Sequence, residues 1–117
     1  MAECPFCDPS KIAGPVGEID FGSGYTILAF APLNPVTPGH TLIVPTWHVE
    51  DALAEPLLTG HVFQAAASEA KAMGLESVNL ITSVGVPATQ SVRHLHVHVV
   101  PRREGDGLHL PWTGQKR

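Results

Sequence analysis

The run His94-Leu95-His96-Val97-His98-Val99-Val100 alternates imidazole with aliphatic side chains up to its final step. An extended chain sends successive side chains to opposite faces, so all three rings would share one face, about 6.6 Å apart, with Leu95, Val97 and Val99 on the other. A helix would instead fan the rings apart by about 100° per residue. The pattern therefore predicts a strand over 93–100, and any fold for this chain must place a sheet here. One plain reading is the solvated face of an amphipathic strand, although Thr, Lys or Glu would serve such a face equally well. Another is a metal-binding cluster of histidines. A third follows from imidazole chemistry: with a reference pKa of about 6.5, a neutral ring is already a nucleophile at physiological pH. Such a ring can attack phosphorus if its other nitrogen is fixed as a donor, and a second histidine two residues away can bind phosphate oxygens.

Eleven prolines and eleven glycines divide the rest of the chain into short elements, without internal repeats or low-complexity tracts. Tyr25-Thr26-Ile27-Leu28-Ala29-Phe30 reads as a strand ending before Pro32. A punctuated loop leads to His40, and Thr41-Leu42-Ile43-Val44 forms a second strand stopped by Pro45, the two pairing as an antiparallel hairpin. Pro56 to Met73 is the only long helical pattern, with Leu58, Val62, Ala65, Ala66 and Met73 on one stripe. Pro56 suits its first turn and Gly74 a left-handed stop, while Gly60 inside costs roughly 1 kcal/mol against alanine. Val78-Asn79-Leu80-Ile81-Thr82 reads as a further strand, and the loop from Ser83 to Val92 is long enough to suggest a functional role. The sum is an α+β domain, a small antiparallel sheet of about five strands with one main helix.

At 117 residues and 44% hydrophobic content the chain supports one core, hence a single domain over 1–117 with an N-terminal segment 1–16 and a C-terminal tail 103–117. A net charge of -4 with scattered Lys and Arg lacks the basic stripe of a nucleic-acid surface, so no nucleic-acid partner is expected. No run approaches the roughly 20 apolar residues that span a bilayer, and Met1-Ala2-Glu3-Cys4-Pro5 resembles no secretory leader; the expectation is a cytoplasmic protein that does not engage membranes. In that compartment the pair in Cys4-Pro5-Phe6-Cys7 favours metal or redox chemistry over a structural disulfide.

The triplet resembles the histidine triad pattern, His-apolar-His-apolar-His-apolar-apolar, at every position. Pro38-Gly39-His40-Thr41-Leu42-Ile43-Val44-Pro45 with His48, and Gln90-Ser91-Val92, are similar to that family's other landmarks in the same order, from the cysteine pair to Trp112. The resemblance implies a nucleotide-binding hydrolase or transferase that takes a purine nucleotide or nucleotide conjugate. Such an enzyme cleaves a nucleoside 5′-phosphoramidate or related ester at the α-phosphate through a nucleotidyl-histidine intermediate, without an organic cofactor. Dinucleoside polyphosphate hydrolysis and a catalytically weak nucleotide-binding or interaction module are the alternatives. A homodimer is implied too, with Trp112 either near the neighbouring subunit's site or anchored in the core.

By the same resemblance His96 is the nucleophile, its far nitrogen donating to the carbonyl of His94. His98 binds the phosphate, Gln90 and Ser91 line the phosphate and leaving-group side, and His40 supports them. The aspartate that usually holds the ribose falls on Pro32, so Asn34 takes its place. Ser83 stands where a second asparagine is usual, and Thr89 where a glycine precedes Gln90. Ile19, Phe21 and Leu42 are candidate walls for the base, with plain core as their other reading. Cys-Pro-Phe-Cys also resembles a glutaredoxin motif, but Pro9 follows the pair and no strand precedes it, so the helix N-terminus that lowers a thiol pKa is missing. Some histidine triad proteins hold a structural zinc with such a pair and two histidines, which here would be Cys4, Cys7, His48 and His94. His61 on the helix and His109 in the tail read as surface residues, and Arg102 and Arg103 either attract an anionic substrate or form a solvated edge.

Overall fold

The computed structural model describes residues 4–8, 10, 12, 14–19 and 24–113. Five antiparallel strands, β1 (Val16–Ile19), β2 (Ile27–Phe30), β3 (Thr41–Pro45), β4 (Val78–Ile81) and β5 (Val97–Pro101), form one sheet in the order β1-β2-β3-β5-β4. Among the described residues a single α-helix, α1 (Pro56–Ala72), crosses one face, as the α+β expectation requires. Among the described residues no helix is long and apolar enough to cross a membrane.

Pro56 occupies the first turn of α1, where its missing N–H would have no partner in any case. Gly74 ends the helix at φ 71, its N–H donating to the Lys71 carbonyl while the Leu75 N–H reaches the Ala70 carbonyl, a Schellman closure. Leu58, Val62, Ala65, Ala66 and Ala70 are buried against Ile27, Ile43, Leu95, Val97 and Val99. Met73 was expected on that stripe but sits in the cap, 36% exposed, and Ala70 fills the inner position instead.

The β2–β3 hairpin forms in the expected register, Ile27 opposite Pro45 and Phe30 opposite Leu42. β1 is the strand without a clear sequence signal, since Gly17 dilutes its four residues; the open edge of β2 gives it a ladder, Val16 opposite Phe30. β5 begins at Val97 rather than Arg93. Over the preceding residues other bonds replace the ladder: the Leu95 N–H donates to the Val49 carbonyl, and the Thr82 hydroxyl to that of His96. Leu95, Val97 and Val99 still face α1, so His94, His96 and His98 share the opposite side of the sheet. That side carries a smaller apolar cluster of Leu28, Phe30, Leu42 and Val44, covered by Phe6, Ile12 and Val16 from the N-terminal segment.

Candidate active site

His40 immediately precedes β3, and the β3–β5 register sets Leu42 opposite His98, so His40 and His98 emerge as diagonal neighbours on the helix-free face. Gly39, at φ 87, makes the turn into β3, and a Cβ there would stand 3.2 Å from the Pro101 ring, so a side chain at this position meets both backbone strain and a tight contact. The Val36 N–H donates to His40 Nδ1 at 3.1 Å, so the proton of the neutral His40 ring must lie on Nε2. That Nε2 lies 2.9 Å from His98 Nδ1 and donates to it, which puts the proton of His98 on its own Nε2. One backbone amide thereby sets the tautomer of two rings.

His96 is 5% exposed, with Nδ1 2.8 Å from the carbonyl oxygen of His94, to which it donates. Its Nε2 therefore keeps the lone pair. The ring stands 5.1 Å from that of His98, centroid to centroid. Burial lowers the pKa of His96 below the ordinary histidine value despite the opposing bond from His94, and burial lowers that of His40 as well. Burial, followed by the nearby His96 and His40, takes His98 down to about 4. At neutral pH the face thus carries uncharged imidazoles, one with a free lone pair and one with a free N–H.

These rings border a cavity of about 440 Å³, within the range of roughly 300–1,000 Å³ usual for small-molecule sites. His40, His96, His98 and Ser91 form its polar side, Phe6, Ile12, Phe30 and Leu42 its apolar side, and Asn34 stands on its rim with Pro32 and Leu33. A second cluster lies beside it. His94, 0% exposed, donates from Nε2 to the Pro45 carbonyl at 2.7 Å, which leaves its Nδ1 lone pair free. That Nδ1 faces Cys4 Sγ at 3.2 Å, Cys7 Sγ at 3.5 Å and His48 Nδ1 at 3.1 Å.

The region 22–105 matches the family model described as HIT domain. This chain belongs to the histidine triad (HIT) family. An uncharacterized HIT-like protein of Methanocaldococcus jannaschii is 36% identical over 111 residues, covering 89% of this chain and 82% of that protein. The adenosine 5′-monophosphoramidase of Saccharomyces cerevisiae is 34% identical over 119 residues, 98% of this chain and 73% of that enzyme. Among solved structures, a histidine triad protein from Clostridium difficile superposes at a TM-score of 0.71 and 28% identity, covering 89% of this chain and 96% of that one.

In this HIT chain the loop from Ser83 to Val92 differs from what the resemblance implies. Ser83, Thr89 and Gln90 do not line the cavity. Gln90 is 6% exposed and fully engaged: Oε1 accepts the Gly85 N–H at 2.8 Å, and Nε2 donates to the carbonyls of Glu50 at 2.7 Å and Val92 at 3.0 Å. In this arrangement the amide braces the loop that carries Ser91. Thr89 has φ 73, the one described non-glycine residue in the left-handed region, which gives the physical reason for the family's glycine at this place. Leu42 is a cavity wall as expected, whereas Ile19 packs against the helix-side core, and Phe21 lies outside the described residues. Arg102 does not face the site: its guanidinium binds Asp106, Asn79 and the Leu108 carbonyl, tying the tail to the end of the sheet. His61 lies beside the ring of Tyr25, His109 is exposed, and Trp112 is 53% exposed in the single chain.

The four donors of Cys4, Cys7, His48 and His94 all lie within 4.8 Å of one another. Tetrahedral zinc, with ligands at about 2.0–2.3 Å, spaces its donors roughly 3.4–3.8 Å apart, so this set fits such an ion with little movement. Desolvation and the adjoining Cys4 push the Cys7 thiol up to about 11, so a cation is what would draw a thiolate from Cys7 at neutral pH. Thr82, which braces the His96 carbonyl, and the Val36 amide, which orders the His40–His98 pair, carry no signal in the sequence. Phe6 is visible there only as part of the cysteine motif, yet its ring packs edge-on to His96 at 5.3 Å.

Proposed function

We propose that this HIT chain is a nucleotide hydrolase or transferase that cleaves a nucleoside 5′-phosphoramidate, or a related nucleotide ester, at the α-phosphorus. The observation that carries this reading is the 2.8 Å bond from His96 Nδ1 to the His94 carbonyl, which leaves Nε2 unprotonated beside the cavity. In the reaction the Nε2 lone pair forms a bond to phosphorus as the bond to the leaving amine breaks. Water then attacks the same phosphorus as its bond to Nε2 breaks and the ring regains its lone pair; the proton that water releases balances the one taken up by the departing amine, so that phosphoramidate and water give nucleotide and amine overall. The positive charge on the substituted ring is shared with the His94 carbonyl through Nδ1–H, and the His98 Nε2–H is a donor for the phosphoryl oxygens. Asn34 and Ser91 both line the cavity, and in this reading Asn34 would meet the ribose and Ser91 the phosphate.

Cys4, Cys7, His48 and His94 would hold a structural zinc. When bound, that ion would tie the N-terminal segment to the catalytic strand and leave the phosphoryl chemistry to His96 and His98. Following AMP release from adenosine 5′-phosphoramidate tests the assignment. Wild type should turn over and His96→Ala should lose several orders of magnitude in rate, since deleting a nucleophile from a catalytic unit costs on the order of 10⁶ elsewhere. Equal rates for the two would refute the mechanism.

A further inference from the structure

Phe6 stands between two proposed metal ligands in sequence and between two sites in space. Cys4-Pro5-Phe6-Cys7 closes as a turn, the Cys7 N–H reaching the Cys4 carbonyl at 3.3 Å, with proline at the second position that such turns favour. The two sulfurs face His94 and His48, so the backbone of Phe6 is pinned on both sides by the four-donor cluster. Its ring points the other way, into the wall of the cavity, with centroid distances of 5.3 Å to His96, 5.9 Å to His94 and 5.5 Å to Phe30. Pro5, Ser91 and Val92 line both this cavity and a second depression beside Cys4 and His48, so the two spaces share part of their walls. Around the turn, the two cysteine sulfurs between them reach His48 and His94 in the body of the fold, while Asp8 bonds Ser10 within the segment.

We propose that Phe6 is a positioning residue that couples metal binding at Cys4, Cys7, His48 and His94 to nucleotide binding in the cavity. The inference rests on the nucleotide reading of the cavity given above. With an ion joining both sulfurs, the turn is fixed and the ring forms a finished wall beside His96. With the ion removed, an incoming nucleotide must itself order the turn, and its affinity falls by that amount. Linkage makes the effect reciprocal: the factor by which zinc tightens the nucleotide equals the factor by which the nucleotide tightens zinc.

The test is a thermodynamic box built with Zn²⁺ and AMP. Calorimetry gives the affinity for AMP of zinc-loaded protein and of protein stripped by a chelator, and a competing chelating dye gives zinc affinity with and without saturating AMP. Wild type should show the same factor on both sides of the box, about tenfold. In Phe6→Ala zinc affinity without nucleotide should stay within about twofold of wild type while the factor drops to near one; Phe6→Leu, which keeps an apolar wall, should recover an intermediate factor and carries the test alone should the alanine variant fail to take up zinc. Equal AMP affinity in both metal states of wild type overturns the coupling alone, as does an undiminished factor in Phe6→Ala. Failure of AMP to bind in either metal state refutes the nucleotide reading of the cavity, and this inference falls with it.

Discussion

Replacing Gln90 separates a residue that holds the loop from one that holds the substrate. Its side chain makes three hydrogen bonds to main-chain groups in three places, Gly85, Glu50 and Val92, and is itself buried. Each such bond contributes a net of about 1 kcal/mol, and the backbone groups freed by truncation lie near enough to solvent for water to meet them in part, so Gln90→Ala should cost about 2–3 kcal/mol. With an unfolding entropy of about 2.1 cal/mol/K per residue, a chain of this length should lose roughly 10 °C in Tm. Gln90→Glu sharpens the case, because a carboxylate still accepts the Gly85 N–H but cannot donate to either carbonyl; it should be at least as destabilised. Thermal unfolding followed by circular dichroism at neutral pH measures both variants. A Tm within about 2 °C of wild type, together with a large fall in turnover, would show that the amide acts on substrate and that the bracing argument is wrong.

Relaxing Thr89 to glycine should stabilise the protein, because left-handed backbone costs a non-glycine residue about 1–2 kcal/mol while glycine gives back roughly 0.5–1 kcal/mol in chain entropy. A urea midpoint for Thr89→Gly below that of wild type would contradict this. The acid side of stability should report His98: its folded pKa of about 4 lies below the unfolded value, so between the two the unfolded chain binds a proton that the native one refuses. Stability should therefore be level above about pH 6.5 and fall as pH drops toward 4, His40 adding a slope of the same sign. Urea midpoints at several pH values for wild type and His98→Asn check it, and identical profiles would sink the argument.

Much of this fold is written locally. The alternation around His96 and the helical stripe before Gly74 each declare their element because one face of each is buried against the other. β1 is not legible, because its four residues owe their ladder to β2 rather than to propensity. The start of β5 is equally hidden, since the bonds that replace the ladder there come from Val49 and Thr82, far away in sequence. In the site, the histidines and cysteines declare themselves by residue type and spacing. The duty of Gln90 does not, because an amide that binds phosphate and one that knots a loop look alike until their partners are known. Phe6 was hidden differently: an aromatic between two cysteines reads as filler unless the body of the fold is known to bring His96 beneath it.

The two faces of the sheet are guarded unequally. A long helix shields one, whereas Leu28, Phe30, Leu42 and Val44 on the other owe their dryness to a few residues near the amino end. Trimming those residues would strip a roof, leaving a greasy floor open to water and to other chains, so solubility hangs on what is joined to, or cut from, that end.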